Sequence, residues 1–194
     1  MAGRNRIFDE QEVVRKATAV FWERGYEATS TEDLLAAMGI GKGSFYNAFP
    51  GGKQELFEKA LEQFSTRAFT ELKAAVATGD DPVAAVLDFF RDIAKESRAV
   101  HMKGCFMGNT VAELSHTEPA LERKAVHRLQ QMEQLFTTIL ENGQQSGRLK
   151  TKTPAPVLAR HLVNLWNGLN ITRRMYPNTE GLSALIELNL SPIH

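Results

Sequence analysis

A chain of 194 residues, 43% hydrophobic and 24% charged, holds enough apolar material for one large domain or a small domain joined to a larger one. Its 23 Lys and Arg balance 23 Asp and Glu, so bulk basicity gives no argument for nucleic-acid binding. No run approaches the ~20 apolar residues of a membrane span, Arg4 and Arg6 lack the apolar stretch of a secretion signal, and the single cysteine, Cys105, excludes an internal disulfide, which together point to the reducing cytoplasm.

Hydrophobic periodicity predicts helices along the whole chain and no strand-like alternation. The first helix starts with Asp9 as cap and Glu12 in the capping-box position, turns Val13, Ala17, Val20 and Phe21 inward, and ends at Gly25. In the second, Ser30 pairs as cap with Asp33, Leu34, Leu35 and Met38 form the apolar face, and Gly39 breaks the helix. A third spans Lys42 to Phe49, with Phe45 and Phe49 four apart on one inward face. From near Lys53 a three-four pattern through Leu56, Phe57, Ala60, Leu61, Phe64, Ala68, Leu72 and Val76 predicts a helix of six turns ending at Gly79. Pro82 opens a fifth helix, Gly104 to Leu114 reads as a short sixth, and Pro119 starts a long one whose apolar face runs up to Gly143 and Gly147. Pro154 and Pro156 open the next, with Leu158, Leu162, Leu165 and Leu169 on its seam, and Glu180 to Leu190 forms the last. The expected fold is all-α: a three-helix reader over residues 1–53, and a larger helical domain for effector binding and dimerisation over residues 54–194.

Thr29 to Lys53 contains two short helices about a glycine turn, the plan of a DNA-reading helix-turn-helix. With Phe45 and Phe49 inward, Lys42, Ser44, Tyr46 and Asn47 face solvent or a partner. Lysine suits phosphate or guanine, asparagine suits adenine, and serine and tyrosine hydroxyls suit phosphate. Gly43 permits close approach of the DNA backbone. Thr29 and Thr31 at the start of the second helix and Lys53 at the start of the fourth are phosphate-contact candidates, because helix N-termini present free N–H groups. Arg4 and Arg6 form either a minor-groove arm or a solubilising tail. Residues 1–53 carry seven basic and seven acidic side chains, so placement, not net charge, is what favours DNA.

Thr29-Ser30-Thr31, the run Gly39-Ile40-Gly41-Lys42-Gly43-Ser44-Phe45-Tyr46 followed by Phe49, and Lys53-Gln54-Glu55-Leu56 resemble the tetracycline-repressor (TetR) family of transcriptional regulators. Gly147-Arg148-Leu149 is similar to the family's join between its last long helices. Two departures are visible: Gly41 stands where serine is commoner, and Pro50-Gly51-Gly52 makes a slightly long connection. The resemblance implies a repressor of double-stranded DNA at a palindromic operator, released by a small-molecule effector or by thiol modification. It also implies a homodimer built from the helices around Glu118 to Gln145 and Pro156 to Tyr176, setting two recognition helices ~34 to 36 Å or a multiple apart.

The candidate effector site gathers Phe89, Phe90, Phe106 and Met107 as apolar lining with His161, Asn164, Trp166 and Asn167 from a later helix. Cys105 lies at a helix start beside Lys103, a setting that favours the reactive thiolate; a small inert core residue fits the same position. Gly104-Cys105-Phe106-Met107-Gly108-Asn109 is similar to a branch of the TetR family in which some members sense electrophiles through a cysteine here, which adds Asn109 to the candidates. His101, Met102, Cys105 and Met107 supply soft ligands without paired metal-site spacing, so neither metal nor cofactor is expected. Two rivals stand beside the regulator. A thiol enzyme pairing Cys105 with His101 or His116 lacks any phosphate-loop, nucleophile-elbow or paired-carboxylate signature, so no enzyme is expected; a helical adaptor predicts no sequence-specific DNA footprint.

Overall fold

The computed structural model describes residues 8–79, 81–175 and 179–194. Its elements are α1 (Glu10–Arg24), α2 (Thr31–Met38), α3 (Lys42–Ala48), α4 (Gly52–Thr78), α5 (Pro82–Ile93), α6 (Arg98–Lys103), α7 (Phe106–Leu114), α8 (Pro119–Gln145), α9 (Ala155–Met175) and α10 (Thr179–Leu190). No strand occurs among the described residues, in line with the all-α expectation.

Local chemistry sets the helix ends. Asp9 caps α1 by accepting the Gln11 N–H at 2.9 Å, but Glu12 does not close a box, since Arg15 takes both its oxygens at 2.7 and 2.8 Å. The α2 box is complete: Ser30 Oγ accepts the Asp33 N–H, and Asp33 accepts the Ser30 N–H, both at 3.1 Å. The Ser30 hydroxyl also donates to Asp33 Oδ2 at 2.7 Å, and this bond, with that from the Ser30 N–H, holds the Asp33 carboxyl below its ordinary range.

One helix is additional to those expected. The stretch from Gly104 to Leu114 contains α7 as a single helix, and a separate short helix precedes it. Ser97 caps the additional helix α6, and α7 starts only after Gly104 has turned the chain at φ 67°. A Cβ at Gly104 would collide with Asn170 and Arg174, so the corner requires glycine. Six residues are too few for periodicity to reveal α6.

The chain forms two compact units. One holds the residues up to Arg67 together with Asn109–Ala125, and the other holds Ala68–Gly108 and Val126–His194; α4, α7 and α8 each contribute to both. In the first unit Phe57 receives the Phe21 ring edge-on at 4.8 Å and Tyr26 at 4.9 Å, above buried Leu34, Met38, Phe45 and Phe49. The second is built on Phe90, Phe136, Leu140, Leu158, Leu162 and Ile186. No helix among the described residues is long and apolar enough to cross a membrane.

Phe57 joins α4 to the ring cluster below α1, and its removal leaves a cavity that rigid neighbours cannot fill. Phe57→Ala should therefore cost about 3–5 kcal/mol, read as a lower urea midpoint of unfolding; a change below about 1 kcal/mol would show that the cluster does not hold the unit together.

Candidate nucleic-acid interface

The seven residues of α3 divide cleanly by environment. Phe45 and Ala48, with Phe49 just beyond, are buried, whereas Lys42, Gly43, Ser44, Tyr46 and Asn47 are exposed. Tyr46 presents 45% of its surface while its ring meets Phe45 edge-on at 5.0 Å, so it stands on the core without sinking into it. Gly41 leaves the first turn of α3 without a side-chain cap; its N–H groups therefore remain for water or a phosphate. A Cβ at Gly43 would meet nothing within 4 Å, which leaves room for a partner's backbone.

Two side chains expected at phosphates, Thr29 and Lys53, have partners within the chain. Thr29 is 1% exposed and its hydroxyl donates to the Gly25 carbonyl at 2.6 Å. Lys53 directs Nζ to the Tyr26 and Thr29 carbonyls, both at 3.1 Å, and lies 4.2 Å from the centre of the Tyr26 ring. Both side chains tie the α1–α2 corner together, because a turn between helices leaves carbonyls that need donors. Burial and the carboxylates of Glu118, Glu27 and Glu58 push the Tyr26 hydroxyl up to about 12, so it stays neutral. Thr31 is half-buried at the start of α2. Arg4 and Arg6 lie outside the described residues.

The expected effector residues come together only in part. Trp166 stacks on Phe89 at 5.1 Å and 14°, and meets Phe90 edge-on at 6.3 Å. Its indole N–H donates to Cys105 Sγ at 3.0 Å. Cys105 is 3% exposed, with Phe106 and Met107 buried after it. His161 is committed elsewhere, with Nε2 on the Asn189 carbonyl at 2.7 Å. Asn164 and Asn167 are exposed, and Asn109 belongs to the first unit. His101 donates Nε2–H to the Ile93 carbonyl at 2.8 Å; among the described residues no three His, Cys, Asp or Glu converge as a metal site would need.

Residues 13–60 match the family model for bacterial regulatory proteins of the tetR family, and residues 79–187 match that for the tetracyclin repressor-like C-terminal domain. The second match alone covers more than half of the chain. This chain belongs to the TetR family of transcriptional regulators. It is 28% identical over 181 residues to the HTH-type transcriptional repressor DhaR of Mycobacterium sp. (strain GP1), covering 91% of this chain and 87% of that protein. To the repressor ComR of Escherichia coli (strain K12) it is 29% identical over 189 residues, covering 94% and 88%. In structure it is similar to a cysteine-substituted form of the regulator CifR bound to 26-bp double-strand operator DNA, with a TM-score of 0.86, 25% identity and coverage of 99% and 100%. The reduced form of E. coli NemR shares the fold at a TM-score of 0.84 and 20% identity, covering 95% and 96%. The matched proteins are DNA-binding transcriptional regulators and not enzymes.

Several residues of this TetR regulator were not legible as site residues. Asn170 Oδ1 accepts the Cys105 N–H. Arg173 is 5% exposed, with Nη1 at 2.9 Å from Glu96 and a buried Nε that has no hydrogen-bond partner; burial lowers the guanidinium and raises the Glu96 carboxyl from their ordinary values. In the sequence, Arg173-Arg174 look like cations complementing the end of a helix. Glu113 accepts N–H groups from the α1–α2 corner, and no motif marks it.

The two lysines of the reader should separate experimentally. Lys42→Ala should reduce the slope of log affinity against log salt for DNA by about 1. Lys53→Met should leave that slope unchanged and lower the unfolding free energy by about 1–2 kcal/mol, the scale of hydrogen bonds to a charged group. The opposite pattern in salt titrations and urea melts would return Lys53 to the phosphate backbone.

Proposed function

We propose that two copies of this chain repress transcription by placing their α3 helices in successive major grooves of a palindromic operator, in the cytoplasm, until the Cys105–Trp166 cluster is altered. The observation that carries the reading is the outward polar face of α3, with Lys42, Ser44, Tyr46 and Asn47 exposed above buried Phe45 and Phe49. Those side chains suit base edges and phosphates. The operator complexes of CifR support the same use of the matching unit.

The pairing surface is assigned to α9. This helix buries Leu158, Leu162, Leu165 and Leu169 within its own unit, yet its outer face carries Val157, Asn164, Gly168, Ile171 and Met175 at helical spacing. Ile171 and Met175 are 64% and 72% exposed, a cost that a second copy of the helix would remove. A Cβ at Gly168 would meet nothing within 4 Å, as suits close approach of a partner helix.

The input is assigned to Cys105. Its sulfur accepts the Trp166 indole N–H at 3.0 Å and the Gly108 N–H at 3.4 Å, so an adduct on sulfur or an organic effector displacing Trp166 removes interactions that hold α7 and α9. Such an input weakens operator binding tenfold for each 1.4 kcal/mol by which it favours the DNA-incompetent state.

Footprinting on a genomic fragment library should reveal one protected palindrome at low protein concentration. Tyr46→Ala should abolish that footprint and still sediment as a dimer, and Cys105→Ser should make the footprint insensitive to electrophiles. A monomer at micromolar concentration, or an undiminished Tyr46→Ala footprint, would refute the arrangement.

A further inference from the structure

We propose that Arg173 forms a carboxylate subsite, and that the effector reaching Cys105 is a small organic acid whose apolar or electrophilic end meets the sulfur while its carboxylate meets the buried guanidinium. The inference rests on the assignment of Cys105 and Trp166 as the input and adds the chemical class which that input accepts.

The subsite lies along one face of α9. Trp166, Asn170 and Arg173 follow one another at intervals of four and three residues, a spacing that keeps them on one side of the helix over about 10 Å of its axis. Each meets the stretch of chain between the end of α5 and the start of α7. The Trp166 indole N–H donates to Cys105 Sγ at 3.0 Å, Asn170 Oδ1 accepts the Cys105 N–H, and Arg173 Nη1 donates to a Glu96 carboxylate oxygen at 2.9 Å. Beside them Arg174 Nη2 donates to the Lys103 carbonyl at 3.2 Å. The two segments approach closely at Gly104, where a Cβ would overlap Asn170 Oδ1 and Arg174 Nη2.

Arg173 is 5% exposed, yet its donors are incompletely matched. Glu96 takes Nη1, and the buried Nε has no hydrogen-bond partner. In the planar guanidinium the Nε–H lies on the edge away from Nη1, so the carboxylate on Nη1 does not serve it. A buried charged donor without an acceptor is destabilising, and arginine does not shed its proton to escape that cost. The group that satisfies such an edge is a second carboxylate, which accepts from a guanidinium through paired, charge-assisted bonds.

The surroundings fit an acid with an apolar body. Glu96 keeps 38% of its side chain exposed, so it marks the side on which an acid arriving from solvent meets the guanidinium. Glu96 and Cys105 both lie within electrostatic reach of Arg173, which brings the unmatched donor and the sulfur into one site. Phe89, stacked on Trp166 at 5.1 Å, supplies an aromatic wall next to the sulfur. An apolar wall with one charged anchor is the usual plan of a site for a small organic ligand.

Two maleimides that differ by one carboxylate test the subsite. N-ethylmaleimide and N-(2-carboxyethyl)maleimide carry the same reactive ring, and a thiol adds to either in the same way: one S–C bond forms, the ring double bond becomes single, the thiol proton passes to the adjacent carbon, and nothing leaves. With one cysteine in the chain, the mass increment reports Cys105 alone. The ratio of the two labelling rates, acid over ethyl, is measured for the unsubstituted protein, for Arg173→Gln and for Arg148→Gln. Each is divided by the same ratio for N-acetylcysteinamide, an uncharged thiol, which removes the intrinsic difference between the reagents. Arg148 is exposed in the turn after α8 and controls for the loss of one positive charge.

The unsubstituted protein and Arg148→Gln should both favour the acid at least threefold, and Arg173→Gln should bring the normalised ratio close to one. A second measurement needs no variant: benzoate should slow N-ethylmaleimide labelling of the unsubstituted protein at least threefold at a concentration where benzamide leaves it unchanged. A normalised ratio near one in the unsubstituted protein, a preference retained in folded Arg173→Gln, or equal protection by benzamide would overturn the carboxylate subsite while leaving Cys105 as the input. A Cys105 that takes neither reagent would remove the Cys105 assignment and the subsite together.

Discussion

A seven-residue helix does not persist in water on its own, so the existence of α3 depends on what lies beneath it. Phe45 and Phe49 supply that support by burying completely, their rings 5.6 Å apart, and Phe21, Tyr26 and Phe57 form a further ring cluster between α1 and α4. The consequence for recognition is geometric. A helix held by one face over a buried floor has little freedom to rotate, so Lys42, Ser44, Tyr46 and Asn47 are presented together on the other face.

Among the described residues of the reader, Arg15 and Lys16 lie against Glu12 and Arg24 against Asp33. A tight corner between α1 and α2 strands backbone groups that must find partners, and Lys53, Thr29 and Glu113 are spent on them. Lys53, which its place at a helix start assigns to phosphate, is in this way also a partner of the corner's carbonyls.

In the second unit, polar and aromatic chemistry meet at Cys105. The stacked pair of Phe89 and Trp166 orients an indole N–H toward sulfur, and Asn170 takes the cysteine's backbone N–H. The nearby turn of α9 also buries the Arg173 guanidinium with Glu96 as its partner. Burying a charge with an incompletely matched donor set costs stability.

The sequence by itself determined the helix-turn-helix and its outward face. Those depend on local signals: the Ser30 and Asp33 box, the glycine between two short helices, and two phenylalanines four residues apart. It determined the apolar seams of the long helices for the same reason, because a three-four period is a property of consecutive residues. Only the tertiary structure decided that α6 exists as a separate turn before Gly104, that Thr29 and Lys53 donate to carbonyls of the α1–α2 corner, that His161 bonds a carbonyl of α10, and that Glu113 grips a corner more than eighty residues earlier in the chain. Each of these is a partnership between a polar group and a distant backbone atom. No periodicity announces them, since which amide or carbonyl is left unsatisfied is known only once the helices have packed.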